Sequence, residues 1–183
     1  MVDIDEHLGG GEGRCWTDEG CLDWAINNLN IKSMIDIGCG QACQVELARE
    51  KNLRAIGVEG DPRCIKEDLQ IQFDFSKGKF SIEEKFDLAW SVEFLEHVYE
   101  EFIPNYMTAF QAAKYVICTH APPGKKGYHH VNCNTKEYWI DIFDQYGFDF
   151  NEKLTNKVRT STTMGKAFMR KYGLVFINRN NES

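Results

Sequence analysis

Short apolar segments alternate along the chain with segments of helical periodicity, and this alternation constrains the fold more than any other feature. The first two apolar segments, Ser33–Ile37 and Arg54–Glu59, enclose a helical pattern at residues 42–48. Further strands are predicted at residues 70–73, 86–91, 114–119, 148–150 and 174–177, and further helices from residues 17 and 61 and at residues 100–113 and 135–146. Strands that alternate with helices form βαβ units and a parallel sheet. The sequence therefore predicts an α/β fold.

The size and charge of the chain narrow the class of protein. Its 183 residues suit one domain with a sizeable core. A net charge of −7, from 21 basic and 28 acidic residues, disfavours a strongly basic nucleic-acid clamp. No apolar run approaches the ~20 residues of a membrane span, and no basic start precedes an apolar stretch. The seven cysteines are odd in number and form no C-x-x-C motif, so we expect a cytoplasmic protein with reduced thiols.

Glycines follow the first predicted strand, at Gly38 and Gly40. Glycines there let the backbone approach a ligand closely, although a plain glycine turn would have the same pattern. Glu59 ends the second predicted strand, where an acid can accept hydrogen bonds from both hydroxyls of a ribose. Asp36, two residues before Gly38, suits an ammonium or sulfonium group better than a pyrophosphate. The loop lacks the third small residue of G-x-G-x-x-G, which disfavours a nicotinamide oxidoreductase.

These motifs resemble those of the class I S-adenosylmethionine-dependent methyltransferases over roughly residues 33–148. The resemblance rests on residues 35–40, 58–59, 74–75, 86–88 and 93–98. It implies a Rossmann-like three-layer sandwich with a mostly parallel seven-stranded sheet and an antiparallel last strand. It also implies that S-adenosylmethionine is the cofactor. The residues expected to contact it are Asp36, Gly38, Cys39, Gly40, Glu59, Gly60, Asp74, Phe75, Ser91 and Glu93. Asp74 could instead be a solvated turn acid.

The chain is expected to form a single methyltransferase domain, residues 1–183. Its parts are a flexible N-terminal arm (1–16), a leading helix (17–30) that Thr17 can cap, a donor-binding half (33–120) and a substrate-side half (121–183).

The spacing Glu93-x-x-Glu96-His97 suggests a metal site. On a helix, the three side chains would share one face. Two carboxylates and an imidazole are suitable ligands for Mg²⁺ or Mn²⁺. The alternative to a metal site is that Glu93 and Glu96 are solvated and His97 packs in the fold or caps a helix.

This segment also resembles the ligand set of two groups of metal-assisted O-methyltransferases, namely the ubiquinone-pathway enzymes and those that methylate the terminal ribose 2′-hydroxyl of small RNAs. In the RNA group a further histidine follows strand five, a role that suits His130, with His129 as the near alternative. The resemblance implies metal ligation by Glu93, Glu96, His97 and His130, and catalytic roles for His97, His129 and His130. Without metal, His97 would help to form the donor pocket, and His129 or His120 could take the proton.

We therefore expect O-methylation of a small-molecule or sugar-like hydroxyl, assisted by Mg²⁺ or Mn²⁺. One alternative is 2′-O-methylation of a nucleic acid, which the net charge disfavours but a basic C-terminal third keeps open. The other is a donor-binding module without activity.

Three smaller patterns each have a functional and a structural interpretation. The basic loop at Lys125 and Lys126 could bind an anionic substrate or be solvated. The pattern Cys118-x-His120 with His130-x-x-Cys133 could hold structural zinc, but free thiols are favoured. Three tryptophans could line a pocket or pack in the core, namely Trp16, Trp90 and Trp139.

Overall fold

The computed structural model describes residues 6–9, 11 and 13–181. In this part of the chain seven strands form one sheet in the order β3-β2-β1-β4-β5-β7-β6. The strands are β1 (Ser33–Ile37), β2 (Arg54–Glu59), β3 (Gln70–Gln72), β4 (Phe86–Ser91), β5 (Ala113–Thr119), β6 (Phe148–Phe150) and β7 (Gly173–Asn178). The first five pair in parallel, whereas β7 is antiparallel to both β5 and β6. The predicted mostly parallel seven-stranded sheet is confirmed.

Helices cover both faces of the sheet and complete the three layers. They are α1 (Glu19–Leu29), α2 (Cys43–Glu50), α3 (Ile103–Phe110), α4 (Lys136–Gln145), α5 (Glu152–Ser161) and α6 (Phe168–Tyr172). The core on one face combines residues of α1, α2, α5 and α6, and the core on the other combines residues of α3 and α4. None of the helices in the described part of the chain combines the length and apolar character that crossing a membrane requires.

Alternation along the strands supplies both cores. Met34 and Leu88 point to the face of α1 and α2, while Ile35 and Ala89 point to the face of α3 and α4. Successive side chains of a strand lie on opposite sides of the sheet, so a strand buried on both faces is apolar throughout. This is why the first strand is apolar except at Ser33, its first residue, and at Asp36, which is buried and belongs to the site.

The N-cap of the first long helix lies one residue after the expected one. Asp18, not Thr17, is the N-cap of α1, and its Oδ1 accepts a hydrogen bond from the backbone N–H of Cys21 over 3.1 Å. The same oxygen accepts from the backbone N–H of Thr163 over 3.0 Å, and Oδ2 accepts from the hydroxyl of Thr162 over 2.5 Å. The buried Asp18 therefore joins α1 to the loop after α5, a contact that local sequence does not reveal.

Two predicted helices differ in the structure. The helix expected from Asp61 does not form, because the Asp61 carboxylate instead accepts from the backbone and guanidinium of Arg63 and holds the chain in turns. The helix expected at residues 100–113 is shorter. A 3₁₀ turn, Glu100–Phe102, precedes α3, Pro104 lies in its first turn, and Ala113 already belongs to β5.

The expectation that every cysteine is a reduced thiol is wrong for Cys15 and Cys43. These residues form a disulfide with a Cα–Cα distance of 5.7 Å. They are 28 residues apart in sequence and meet because the arm folds back onto the first residue of α2. The other five cysteines are free.

Candidate active site

A cavity of about 430 Å³ lies at the carboxyl ends of β1, β2 and β4. In parallel α/β sheets ligands bind at this edge, where the strand order reverses. Here the reversal lies between β1 and β4, which are adjacent in the sheet. The walls come from the N-terminal arm, the loop after β1, the ends of β2 and β3, the segment after β4 and the basic loop after β5. All the expected donor contacts line this cavity except Ser91.

The glycine loop and the end of β2 are held together as one unit. The backbone N–H of Gly40 donates to Glu59 Oε2 over 2.8 Å, and the N–H of Asp61 donates to Oε1 over 2.9 Å. Gly38 and Gly40 have φ values of 71° and 51°, which favour glycine. A Cβ at Gly38 would lie 2.2 Å from a ring carbon of Phe94, so a side chain there would displace the cavity wall.

Asp36 places a buried acid at the floor of the cavity. Its carboxylate accepts no hydrogen bond from any residue that the structure describes, although the side chain lines the cavity. Burial, followed by the negative charge of Glu59, raises the pKa of Asp36 well above its ordinary value. Burial also raises the pKa of Glu59, although the N–H groups of Asp61 and Gly40 lower it. A cationic group bound here would relieve both burial costs.

Asp74 and Phe75 form the far wall of this part of the cavity. Asp74 Oδ1 accepts from the backbone N–H of Ser76 over 2.8 Å, and His7 Nε2 lies 3.2 Å from both carboxylate oxygens. The Asp74 side chain is only 15% exposed, so it is not a solvated turn acid. Phe75 is buried and packs edge-on against Phe94. An apolar ring and an adjacent carboxylate can contact the face and the amino edge of a purine.

Ser91 lies outside the cavity lining. Its hydroxyl is fully buried and donates to the carbonyl oxygen of Ile37 over 2.8 Å. This hydrogen bond joins the end of β4 to Ile37, the last residue of β1, and so helps to position the glycine loop that follows Ile37.

The segment after β4 does not form the helix on which the metal hypothesis was based. Glu93 has a left-handed backbone with φ 55°, and Leu95–His97 is a 3₁₀ turn. The ligand atoms of Glu96, His97 and His130 nevertheless lie within 4.8 Å of one another. Glu93 lines the cavity but is outside this group. The carbonyl oxygen of Glu96 accepts from the backbone N–H groups of Val131 and Asn132 over 2.9 and 3.1 Å, which brings His130 to the turn.

Glu96 is fully buried, and neither of its carboxylate oxygens has a hydrogen-bond partner among the described residues. Burial, followed by the charge of Glu93, raises the pKa of Glu96 well above its ordinary value. Burial and the neighbouring His130 lower the pKa of His97 to about 4, so its imidazole is neutral at physiological pH. An unpartnered buried acid beside the neutral imidazole of His97 and a second histidine fits a divalent cation.

The remaining histidines and cysteines of the sequence hypotheses are separated from the cavity. His129 does not line it and instead packs edge-on against Tyr99. His120 is also outside it, with Nδ1 3.1 Å from the carbonyl oxygen of Asn134. Cys118 is buried in β5, and the metal-capable group found in the described part of the chain contains no cysteine, so the zinc pattern does not assemble there.

The tryptophans divide between the cavity and the core. Trp16 and Trp90 line the cavity, whereas Trp139 is fully buried in the core on the face of α4.

Sequence reasoning missed the contribution of the N-terminal arm. His7, Leu8 and Arg14 line the cavity, and the hydroxyl of Tyr128 donates to the carbonyl oxygen of Glu6 over 2.8 Å. Residues 1–5, 10 and 12 of the expected arm lie outside the described residues. The described part contacts the fold rather than extending from it. The adjacent Cys15 and Trp16 are the sequence signal that this segment packs against the fold.

Comparisons with known proteins identify the fold. No family model matches the chain, and no curated protein matches it. Magnesium protoporphyrin IX methyltransferase from Synechocystis PCC 6803, with S-adenosylhomocysteine bound, superposes with a TM-score of 0.62 at 14% identity, covering 86% of this chain and 80% of that chain. The sugar N-methyltransferase KedS8 from Streptoalloteichus has a TM-score of 0.66 at 12% identity, covering 88% and 87%. The methyltransferase domain of bacterial CtHen1 has a TM-score of 0.56 at 16% identity, covering 86% and 96%. The chain therefore has the fold of the class I S-adenosylmethionine-dependent methyltransferases.

Proposed function

We propose that this protein is an S-adenosylmethionine-dependent methyltransferase that methylates a hydroxyl of a small, sugar-like diol with the assistance of Mg²⁺ or Mn²⁺. One observation carries the proposal. A single cavity is lined by the glycine loop, Glu59 and Asp36 on one side and by His97 and His130 on the other. The buried Glu96 lies behind this lining, with its ligand atom within 4.8 Å of those of the two histidines. We also propose that residues 1–183 act as one domain in the cytoplasm, with residues 33–120 binding the donor and 121–183 completing the substrate side. The five free cysteines favour that compartment, whereas a disulfide such as Cys15–Cys43 is uncommon there.

The donor side binds through complementary charge and shape. Glu59 accepts hydrogen bonds from the ribose hydroxyls, and Asp36 pairs with the ammonium group of the methionine end. Asp74 and Phe75 contact the adenine, while Gly38 and Gly40 let the backbone approach. Cys39, Gly60 and Glu93 line the same space. Two proteins of this fold support this choice of donor. The Synechocystis enzyme contains S-adenosylhomocysteine, and the Corynebacterium glutamicum protein is named as a TehB-like S-adenosylmethionine-dependent methyltransferase.

On the acceptor side, Glu96, His97 and His130 would hold the cation, with Glu93 adding negative charge nearby. A bound divalent cation lowers the pKa of a coordinated hydroxyl and orients it. Two adjacent hydroxyls can chelate one ion, and for this reason we propose a diol. The Glu96 carboxylate, which is fully buried, provides the negative charge.

The tautomer of His130 follows from its hydrogen bond. Its Nδ1 lies 3.0 Å from the carbonyl oxygen of Lys125, which can only accept, so Nδ1 carries the proton. The lone pair is therefore on Nε2, where it can bind the cation or, in the metal-free alternative, take the hydroxyl proton.

The cavity aligns the reacting groups for an in-line displacement. As the new oxygen–methyl bond forms, the sulfur–methyl bond breaks, the sulfur keeps the electron pair, and the hydroxyl proton leaves to a base or to solvent. His97 is a weak base at its lowered pKa, so a ligand or pocket role suits it better than proton removal. His129, outside the cavity lining, would need the loop to move before it could act.

The test is formation of S-adenosylhomocysteine from S-adenosylmethionine with ribose and catechol as diols, and with phenol and an alkylamine as comparison acceptors. We expect turnover with the diols, more turnover with Mn²⁺, and loss of the Mn²⁺ effect in Glu96→Gln. Turnover with the amine alone would show that O-methylation is wrong. Binding of S-adenosylhomocysteine without turnover would favour the donor-binding module.

Methylation of a nucleic-acid end is the second candidate, because the basic loop at Lys125 and Lys126 lines the cavity. Binding to a short RNA that weakens steeply with salt would favour it.

A further inference from the structure

Three cationic side chains line the acceptor side of the cavity. They belong to Arg14, Lys125 and Lys126, and none of them forms an ion pair with a residue that the structure describes. Some basic residues elsewhere on the molecule do form ion pairs, as Lys51 does with Asp23 and Arg179 with Asp144. In a chain with a net charge of −7, this is a local concentration of positive charge without its counter-ion.

The backbone on both sides of this positive patch (Arg14, Lys125 and Lys126) is fixed. The carbonyl oxygen of Lys125 accepts from His130 Nδ1 over 3.0 Å, and its N–H donates to the carbonyl oxygen of Pro122 over 3.1 Å. Lys126 is the next residue along the chain, directly after this turn. Arg14 immediately precedes Cys15, which the disulfide with Cys43 holds in place. The patch is therefore presented to the cavity by an anchored framework, next to the group that contains His130.

Two acids near the positive patch balance part of its charge. Glu93 and Glu96 face this side, and Lys125 is close enough for its charge to lower the pKa of both, against the larger effect of burial. If a divalent cation occupies the group of Glu96, His97 and His130, the two acids are already neutralised. Arg14 and Lys126 then remain without an anion.

Flat aromatic side chains border the same part of the cavity. Trp16, Tyr99 and Tyr128 are 38%, 46% and 46% exposed, and all three line the cavity. They are the exposed large hydrophobic residues of the described part of the chain. Rings of this kind combine an apolar face with a polar tip, and suit a ligand that is partly apolar and partly wet. A sugar ring has this character.

We propose that the methyl acceptor is a phosphorylated sugar, with the phosphate held by Arg14, Lys125 and Lys126 and the diol directed toward Glu96, His97 and His130. This inference rests on the proposed function and specifies its substrate class. A phosphate dianion can engage several cations at once, and an arginine guanidinium matches its oxygens in a bidentate manner. The aromatic rings then cover the sugar between its two polar ends.

The test measures binding by calorimetry with S-adenosylhomocysteine at saturation and Mn²⁺ present. The probes are ribose 5-phosphate, ribose and inorganic phosphate. We expect ribose 5-phosphate to bind at least about tenfold more tightly than ribose, since a hydrogen bond to a charged group contributes at least that much. Arg14→Gln and Lys126→Gln should each weaken ribose 5-phosphate about tenfold and leave ribose unchanged.

Lys114→Gln is the matched control. It removes the same charge near the start of β5, at the opposite end of the strand from the cavity, and should change no affinity. Equal affinity for ribose 5-phosphate and ribose, or unchanged binding in both Arg14→Gln and Lys126→Gln, would overturn the inference. Salt-sensitive binding of an RNA oligonucleotide without binding of ribose 5-phosphate would also overturn it, in favour of a nucleic acid.

Failure of the phosphate site and failure of the proposed function are distinguishable. If S-adenosylhomocysteine binds but ribose 5-phosphate does not, the donor site stands and the phosphate site is wrong. If S-adenosylhomocysteine does not bind, the proposed function fails. In that case, inorganic phosphate binding that depends on Arg14 and Lys126 would still support the anion site, and its absence would refute it.

Discussion

The backbone N–H of Gly40 donates a hydrogen bond to Oε2 of Glu59 over 2.8 Å, joining the loop after β1 to the last residue of β2. A second N–H, from Asp61, holds the other carboxylate oxygen at 2.9 Å. The acid is thus oriented before any ligand arrives. Preorganisation of this kind lowers the ordering cost of binding.

The raised pKa of Asp36 predicts that donor binding releases protons. Its raised pKa leaves part of the population protonated at a pH above the ordinary value for Asp, about 3.9. The ammonium of S-adenosylhomocysteine favours the ionised form, so binding should release a proton. Calorimetry in buffers of different ionisation enthalpy measures this release, which should vanish in Asp36→Asn. The exposed Asp141→Asn is the control. Equal proton release in Asp36→Asn and the parent would contradict the assignment.

The same shift fixes the sign of a stability effect. Because the folded pKa of Asp36 is raised, its contribution to the free energy of unfolding is present below the ordinary Asp pKa and is lost as pH rises through the folded value. Burial also raises the pKa of Glu59 and of the Cys39 thiol, which face the same space. As pH rises from the ordinary Asp pKa through the folded pKa of Asp36, the free energy of unfolding should fall less in unliganded Asp36→Asn than in the parent. Urea unfolding at several pH values measures this difference.

Removing a ligand of the proposed metal group should abolish cation binding without affecting the donor. Glu96→Gln and His130→Asn should each weaken Mn²⁺ binding at least about tenfold, measured by the free-ion signal in electron paramagnetic resonance. Glu101→Gln, on an exposed 3₁₀ turn, should bind as the parent does. If both ligand variants keep parental Mn²⁺ affinity, the cation site is elsewhere or absent.

The Cys15–Cys43 disulfide should stabilise the oxidised protein. Closing a loop with a sequence separation of 28 contributes roughly 3.6 kcal/mol in the chain-entropy account. Urea unfolding should therefore be sensitive to reductant in the parent and in Cys133→Ser, but insensitive in the destabilised Cys15→Ser. Thiol titration of the denatured oxidised protein should find the five free cysteines. Seven thiols before reduction would show that the bond does not form.

The cap of α1 provides a direct comparison between two neighbouring residues. Asp18→Ala removes a buried N-cap that also binds Thr162 and the backbone of Thr163, and should cost about 2 kcal/mol or more of unfolding free energy. Thr17→Ala should change it by less than about 0.5 kcal/mol. Urea unfolding of the two variants measures the difference, and the opposite order would restore Thr17 as the cap.

The sheet was predictable because its information is local. Each of the strands around the site, such as Ser33–Ile37, is a short apolar segment, and the glycines of the loop follow it directly. Asp36 and Glu59, the acids that we propose bind the donor, were identifiable because they occupy fixed positions in or at the end of these strands.

The metal group was only partly predictable. Spacing suggested a helix that would bring Glu93 and His97 to one face, but Glu93 adopts a left-handed backbone and the segment forms a 3₁₀ turn. The contacts that decide the geometry come from Val131 and Asn132, far along the chain, which donate to the carbonyl oxygen of Glu96. No local periodicity carries that information.

The arm was not predictable for the same reason. His7 reaches Asp74 across 67 residues, and Cys15 reaches Cys43 across 28. Glycine-rich, acidic composition indicates a mobile segment when its partners are unknown.

Binding of S-adenosylhomocysteine, measured by isothermal titration calorimetry, tests the central claim most directly. We predict one site in the parent protein and at least about tenfold weaker binding in Glu59→Gln, which keeps the shape of the side chain but loses the charged acceptor for the ribose hydroxyls. Glu50→Gln, at the exposed end of α2, should bind as the parent does. No binding by the parent, or unchanged affinity in Glu59→Gln, would contradict the account.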